Sequence, residues 1–159
     1  MTSPCRILLV EDSEHDVFFF HQAMKKAKVT MPVEVVSDGA AAISYLSGDP
    51  PYSDRTRFPL PSIILLDLKL PKKSGHEVLE WVTADSKLRN IQVLVLTSSF
   101  EEADVRRAYD LGAGLYIVKP VTQNILRNLI RAIAGYCHDP EDGTHKDLAA
   151  FALPRPKSA

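Results

Sequence analysis

Short apolar runs, each ended by a polar side chain, are the feature that most constrains the fold of this chain. The run Ile63–Leu66 stops at Asp67, and similar runs stop at Glu11-Asp12, at Thr97 and at Lys119. Runs of this length and composition are typical of strands buried on both faces of a parallel sheet. Because parallel strands end at one common edge, where α/β proteins bind their ligands, we expect these polar groups to lie together.

Segments with helical periodicity separate the apolar runs. The strict alternation predicts an α/β domain over residues 1–137, in which a doubly wound, five-stranded parallel sheet is covered by five helices. Ser13 is predicted to cap the first helix with Asp16. Ser99 with Glu102 is predicted to form a capping box on the fourth helix, and the fifth is predicted to end at Gly135.

Two segments fall outside this alternation. Residues 49–61 contain four prolines, so we expect a long insertion that is not helical. Residues 138–159 are expected to be a short tail with no output domain, although they carry an apolar patch between Leu148 and Leu153.

Composition narrows the classes of partner. With a formal net charge of −1 and scattered lysines and arginines, the chain has no basic patch for nucleic acid or an anionic membrane. The sequence shows no leader and no apolar run long enough to span a bilayer, so we expect a cytoplasmic protein. Cys5 and Cys137 lack metal-binding spacing, and we expect both to be reduced thiols.

The polar groups at the strand ends resemble the receiver domain of two-component response regulators. The resemblance rests on Glu11-Asp12, Asp67, Thr97 and Lys119-Pro120 in this order, and on the turn from Asp67 to Gly75. It covers about residues 5–135 and implies a flavodoxin-like sheet with strand order 2-1-3-4-5. The proline-rich insertion and the lack of an output domain most resemble the small single-domain regulators that serve bacterial phytochrome kinases.

The resemblance implies that Asp67 accepts a phosphoryl group, a reaction in which the protein supplies positioning and charge compensation. Adjacent carboxylates repel one another unless a cation joins them, and Mg²⁺ prefers oxygen ligands. We therefore expect a Mg²⁺ site made by Glu11, Asp12, Asp67 and the main-chain carbonyl of Lys69.

Four further residues are assigned to the phosphorylated site and its switch. Lys119 supplies a second positive charge, and a cis peptide bond at Pro120 is expected to aim it into the site. The hydroxyl of Thr97 is expected to move toward the phosphoryl group, and the resemblance implies that Tyr116 then swings inward. Each residue also has a plainer reading: a helix cap for Glu11 and Asp12, a strand-end hydroxyl for Thr97, a solvated cation for Lys119, and ordinary sheet packing for Tyr116.

The expected partners follow from the resemblance to receiver domains. A sensor histidine kinase, for which the phytochrome type is the candidate, or a phosphotransfer protein would deliver the phosphoryl group. Phe18 on the polar side of the first helix is a candidate kinase contact. Its alternative is an exposed aromatic of no consequence. The fourth helix, fifth strand and fifth helix form the expected output face, and we expect a homodimer through helices 4 and 5.

Three other functions are alternatives to that of a phosphorylated receiver. An aspartate-nucleophile phosphatase would carry a second acid two residues after the first, where this chain has Lys69. A flavodoxin-like nucleotide carrier would need a phosphate loop where Glu11-Asp12 would repel the phosphate. A receiver-like module that signals by binding alone, without phosphorylation, stays open.

Overall fold

The fold alternates strands and helices as the sequence predicts. The computed structural model describes residues 5–119, 121–138 and 148–157. The strands are β1 (Ile7–Val10), β2 (Val33–Val36), β3 (Ile63–Leu66), β4 (Gln92–Thr97) and β5 (Leu115–Val118). The helices are α1 (Glu14–Ala27), α2 (Gly39–Ser47), α3 (Gly75–Ala84), α4 (Glu102–Asp110) and α5 (Gln123–His138), with a short 3₁₀ turn at Ser86–Leu88.

These strands form one parallel sheet in the order β2-β1-β3-β4-β5, which confirms the predicted fold class. Successive side chains of a strand point to opposite faces, so the sheet divides the core into two layers. Leu8 and Ile64 face α2, α3 and α4, whereas Ile7 and Ile63 face α1 and α5. Burial on both faces explains why these strands read as continuous apolar runs.

Backbone hydrogen bonds continue one residue past several strands and place the polar groups at the sheet edge. The amide of Glu11 donates to the carbonyl of Val36 over 3.0 Å, and the amide of Asp67 donates to that of Val10 over 3.1 Å. On the other side, the amide of Lys119 donates to the carbonyl of Thr97 over 2.8 Å. These side chains therefore leave the sheet at one end, on neighbouring strands.

One predicted helix cap and one predicted helix end are wrong. α4 begins after Glu101, two residues beyond Ser99, so Ser99 is too far from the helix start to cap it and instead donates to the carboxylate of Asp104. α5 continues through Gly135 to His138, because Tyr136 and Cys137 pack against the core formed with α1 and outweigh the glycine. At α1 the prediction is confirmed: the Ser13 hydroxyl accepts the amide of Asp16 over 3.3 Å.

The proline-rich insertion is an ordered loop of turns and is not helical, as predicted. The rings of Tyr52 and Phe58 lie 5.1 and 6.1 Å from the ring of Tyr45 on α2. Arg55 donates to the carbonyls of Tyr45 and Leu46 over 2.7 and 2.8 Å. These bonds give partners to carbonyls in the last turn of α2 that have no donor within the helix. The insertion is thus anchored to the domain by aromatic packing and by one arginine.

The described part of the tail, residues 148–157, folds back onto the domain. Leu148 is buried among the core residues packed by α1 and α5. The amide of Leu153 donates to the carbonyl of Tyr116 over 2.8 Å, which forms an antiparallel bridge on the free edge of β5. Arg155 forms an ion pair with Asp110 on α4. The apolar patch noted in the sequence is therefore the anchor of this tail.

The expectation for the two cysteines is wrong. Cys5 and Cys137 form a disulfide, with their Cα atoms 5.5 Å apart. α5 runs back along the sheet, so its last turn reaches the beginning of β1, although 132 residues of chain separate the two cysteines. A contact between the two ends of a domain leaves no pattern in the local sequence.

Candidate functional site

Three carboxylates meet at the carboxyl ends of β1 and β3. Oxygen atoms of Glu11, Asp12 and Asp67 all lie within 4.8 Å of one another. Glu11 is buried and Asp12 is exposed, while the side chain of Asp67 is 12% exposed. The structure therefore gathers the predicted acids into one cluster and leaves the carboxylate of Asp67 within reach from outside.

Lys119 joins this cluster from β5. Its ammonium donates to Glu11 and lies 3.3 Å from Oδ2 of Asp67, so the predicted second positive charge is in place. It also lies 2.9 Å from Oδ2 of Asp16. The sequence predicts Asp16 only as part of a helix cap. Its position one helical turn after Glu11-Asp12 is the signal that could have indicated the contact with Lys119.

Burial and charge shift the protonation of these groups. Burial raises the pKa of Glu11 to about 7; the Lys119 hydrogen bond and charge act against this rise, and the nearby charge of Asp67 adds to it. Burial by itself would lower the pKa of Lys119, yet the hydrogen bonds to Glu11 and Asp16 raise it above its usual range. The lysine is thus a permanent cation, whereas Glu11 exchanges its proton near neutral pH.

The turn after β3 brings the backbone close to Asp67. The amide of Lys69 lies 3.3 Å from Oδ1 of Asp67, so the turn folds around the carboxylate. A Cβ atom at Gly75 would lie 2.3 Å from the main-chain oxygen of Asp67, so the first residue of α3 has no room for a side chain. Pro120 lies outside the described residues, and its predicted cis bond stays a prediction.

Thr97 and Tyr116 lie on the adjacent strands β4 and β5, on the α4 side of the sheet. Tyr116 is paired with Val95, and Thr97 follows two residues later on the same face of β4. Thr97 and Tyr116 are both fully buried, and the hydroxyl of Thr97 has no hydrogen-bond partner among the described residues. The Tyr116 hydroxyl donates to the main-chain carbonyl of Ser99 over 2.9 Å. The ring of Tyr116 is therefore already inside the protein, and its swing on phosphorylation stays a prediction.

A cavity lies beside the acids, and two aromatic rings are exposed on the surface of the domain. The cavity, of about 370 Å³, lies between α1 and α5 and is lined by apolar side chains and by the polar residues Glu11, His15, Asp16, Ser98 and Lys119. Phe18 is 61% exposed on α1, as predicted from the helical pattern. Phe100, in the loop between β4 and α4, is also exposed and was not singled out from the sequence.

Comparison with known protein families identifies the family to which a chain with this sheet edge belongs. Residues 7–131 match the response regulator receiver domain, a family model that spans most of the chain and includes each of the acids, Thr97, Tyr116 and Lys119. The chain belongs to the response regulator receiver family. The fold class and the response regulator assignment made from the motifs are thereby confirmed.

Two relatives of similar length match most of this chain in sequence. The probable methanogenesis regulatory protein FilR2 of Methanothrix harundinacea is 37% identical over 133 residues, which are 84% of this chain and 83% of that protein. Response regulator Rcp1 of Synechocystis sp. is 35% identical over 84% of this chain and 88% of its own length. The names of both relatives describe regulatory proteins, and Rcp1 is named as a response regulator.

Solved receiver structures include regulators of phytochrome systems. The phosphorylated cyanobacterial phytochrome response regulator RcpA superposes with a TM-score of 0.76 and 34% identity, over 87% of this chain and 96% of that chain. The Mn²⁺-bound form of Rcp1 superposes with a TM-score of 0.72 and 34% identity, over 88% and 96%. The similarity to small phytochrome-associated regulators, first suggested by the proline-rich insertion, is thus confirmed.

A divalent metal ion suits the donor set of this receiver domain. Its three clustered carboxylates are hard oxygen ligands, which suit hard cations such as Mg²⁺ and Mn²⁺. They also carry more negative charge than Lys119 alone can balance.

No helix in the described part of the chain has the length and apolar character needed to cross a membrane.

Proposed function

We propose that this receiver accepts a phosphoryl group on Asp67 from a sensor histidine kinase or a phosphotransfer protein. The observation that carries the proposal is the position of the Asp67 carboxylate, which is partly open to solvent while the ammonium of Lys119 lies 3.3 Å away. A carboxylate at the end of a buried central strand, with a cation beside it, suits attack on an incoming phosphorus atom.

The protein's own groups account for the charge changes of the transfer. An oxygen of Asp67 forms the new bond to phosphorus as the bond from phosphorus to the donor imidazole nitrogen breaks, and the released imidazole takes up a proton. Lys119 supports the negative charge of the phosphoryl oxygens. The hydroxyl of Thr97, which is buried without a partner, is available to donate to one of these oxygens.

We propose Mg²⁺ as the cofactor of this reaction. Glu11, Asp12 and Asp67 would hold the ion together with the main-chain carbonyl of Lys69. When bound, the ion would neutralise the acids and screen the phosphoryl oxygens. The Mn²⁺-bound form of the relative Rcp1 supports a divalent ion in this family.

The signal would leave through α4, β5 and α5. Thr97 ends β4, and the Tyr116 hydroxyl binds the loop that leads from β4 to α4. A shift of Thr97 toward a phosphoryl group would therefore bias the position of this loop and of α4, by a change of population between two states. The tail lies across the free edge of β5, so a homodimer through α4 and α5 would have to form around it or displace it.

The partner we propose is a histidine kinase of the phytochrome type. The support is similarity to RcpA, which is named as a phytochrome response regulator, and to Rcp1. Phe18 is the proposed contact, because it is an exposed aromatic side chain on α1, the helix that follows Glu11 and Asp12 in the chain.

A second function is favoured by one observation. The ring of Tyr116 is buried in the unmodified chain, so a conformation that was expected only after phosphorylation is already present. A receiver that binds its target without phosphorylation would have this property. The test of phosphorylation below separates the two functions.

The deciding experiment is to incubate the protein with acetyl phosphate and Mg²⁺ and measure its intact mass. We expect the added mass of one phosphoryl group on the wild-type chain and none on Asp67→Asn. Asp12→Asn keeps the acceptor, so it should still be modified, but more slowly and with a weaker response to Mg²⁺. An unmodified wild-type chain, with this donor and with phosphorylated histidine kinases, would leave the phosphorylation-independent binding module as the function.

A further inference from the structure

Asp16 differs from the other carboxylates around Lys119. The Lys119 ammonium contacts Glu11, Asp67 and Asp16. Glu11 and Asp67 belong to the acid cluster that suits a divalent cation, whereas Asp16 lies on α1 outside that cluster. A cation bound to the acid cluster would therefore leave Asp16 free to pair with Lys119.

The position of Asp16 is set by α1. Its amide donates to the hydroxyl of Ser13, which places Asp16 in the first turn of the helix and directs its carboxylate to Lys119 at 2.9 Å. Its side chain is 38% exposed, so the ion pair is partly screened by water. A contact of this strength can hold a flexible lysine and can still be released.

The lysine has room to move between its partners. Glu11, Asp16 and Lys119 all line the cavity between α1 and α5, so a shift of the Lys119 side chain does not require repacking of the core. Oδ2 of Asp67 is only 3.3 Å from the ammonium in the unmodified protein. A phosphoryl group on Asp67 would add negative charge at this side and attract the ammonium away from α1.

We propose that Asp16 is a positioning residue that holds Lys119 in the unphosphorylated receiver and competes with the phosphoryl group for its ammonium. The proposal rests on the phosphoacceptor function of Asp67. It predicts that Asp16 opposes the phosphorylated state, because forming that state costs the contact between Asp16 and Lys119.

The test measures the affinity for beryllofluoride, a stable mimic of the phosphoryl group, in the presence of Mg²⁺. Asp16→Asn should bind beryllofluoride about two- to fivefold more tightly than wild type, the range expected for loss of a partly exposed ion pair. Glu14→Gln is the matched control, since Glu14 is exposed in the same first turn of α1 and its substitution removes the same charge. It should change the affinity less than Asp16→Asn does.

A double-mutant cycle tests whether Asp16 acts through the lysine. In the Lys119→Gln background, Asp16→Asn should no longer increase beryllofluoride affinity. An increase that persists without the lysine would contradict the proposal, as would equal effects of Asp16→Asn and Glu14→Gln. Asp16→Ala serves as a second variant should Asp16→Asn be poorly folded.

A direct readout does not depend on phosphorylation. In protein labelled with ¹⁵N-lysine, the side-chain nitrogen resonance of Lys119 should shift in Asp16→Asn and stay in place in Glu14→Gln. If the wild type is phosphorylated on Asp67 but neither the resonance nor the affinity responds to Asp16, this inference alone is wrong. If the wild type is never modified at Asp67, the proposed function fails and this inference fails with it.

Discussion

The hydroxyl of Tyr116 donates to the main-chain carbonyl of Ser99 over 2.9 Å, inside the protein. This bond joins β5 to the loop that connects β4 with α4. The main-chain carbonyl of Tyr116 accepts the amide of Leu153 in the tail. The amide of Tyr116 donates to the hydroxyl of Tyr109 on α4. Tyr116 therefore links the strand, the loop, the helix and the tail that together form the proposed output face.

Tyr116→Phe should lower the free energy of unfolding by about 1 kcal/mol, because it leaves the buried carbonyl of Ser99 without its donor. Phosphorylation of Asp67 by acetyl phosphate should continue, since the phenol hydroxyl does not contact the acids. Urea unfolding and intact-mass measurements check the two parts. Unchanged stability would show that the hydrogen bond contributes nothing.

Phe18→Ala should slow phosphotransfer from the cognate kinase about tenfold, which corresponds to about 1.4 kcal/mol for loss of an aromatic anchor. Modification by acetyl phosphate should not change, because this small donor needs no docking surface. Leu60→Ala, which removes an exposed apolar side chain in the proline-rich insertion, is the control. Equal transfer rates for wild type and Phe18→Ala would remove Phe18 from the interface.

Magnesium affinity should depend on pH through Glu11. Burial raises the pKa of Glu11 to about 7, and a protonated carboxyl group does not bind the ion. Affinity should therefore rise with pH through neutrality and be roughly tenfold weaker at about pH 6 than at about pH 8. Calorimetric titration at both values measures this dependence. Glu11→Gln should bind more weakly at the higher pH and lose most of the dependence; a persisting dependence would assign it to another group.

Leu148→Ala should destabilise the domain by about 2 kcal/mol or more, because Leu148 is only 4% exposed and its loss leaves a cavity in the core. Leu153→Ala is the matched control: Leu153 is 37% exposed and bridges Tyr116 through its backbone, which alanine keeps. Its effect should stay within about 0.5 kcal/mol. Equal, small effects in urea unfolding would mean that the tail does not pack as the structure shows.

Reduction of the bond between Cys5 and Cys137 should lower the free energy of unfolding by about 2–5 kcal/mol, because the bond closes nearly the whole domain into one loop. Urea unfolding with and without dithiothreitol measures the difference. The double variant Cys5→Ser/Cys137→Ser should behave like the reduced protein and ignore the reductant. Two free thiols in the oxidised sample, counted by alkylation and mass, would contradict the disulfide.

Much of the sheet and of its acidic edge follows from local sequence. A buried parallel strand must be apolar on both faces, so β1, β3 and β4 stand out as continuous runs. Their ends are marked by the first polar residue, and parallel strands end at one edge. Glu11, Asp67 and Lys119 could therefore be placed together before any coordinates were known.

The contacts that were missed join residues with no shared local pattern. Asp16 carries a helix-capping signal that says nothing about a lysine 103 residues away. Ser99 has the residue type of a cap, but the chain runs two residues further before α4 begins. In each case the local sequence favours helix capping, and a contact with another residue gives the side chain a different role.

The sequence by itself determined the order of strands and helices, the two-faced core and the identity of the groups at the sheet edge, because burial and periodicity act over a few neighbouring residues. Only the tertiary structure decided which partner each group takes: Asp16 for Lys119, Ser99 for Tyr116, Cys137 for Cys5 and Leu153 for the free edge of β5. These pairings depend on how helices and the tail return across the sheet, and that path is set by packing of the whole domain.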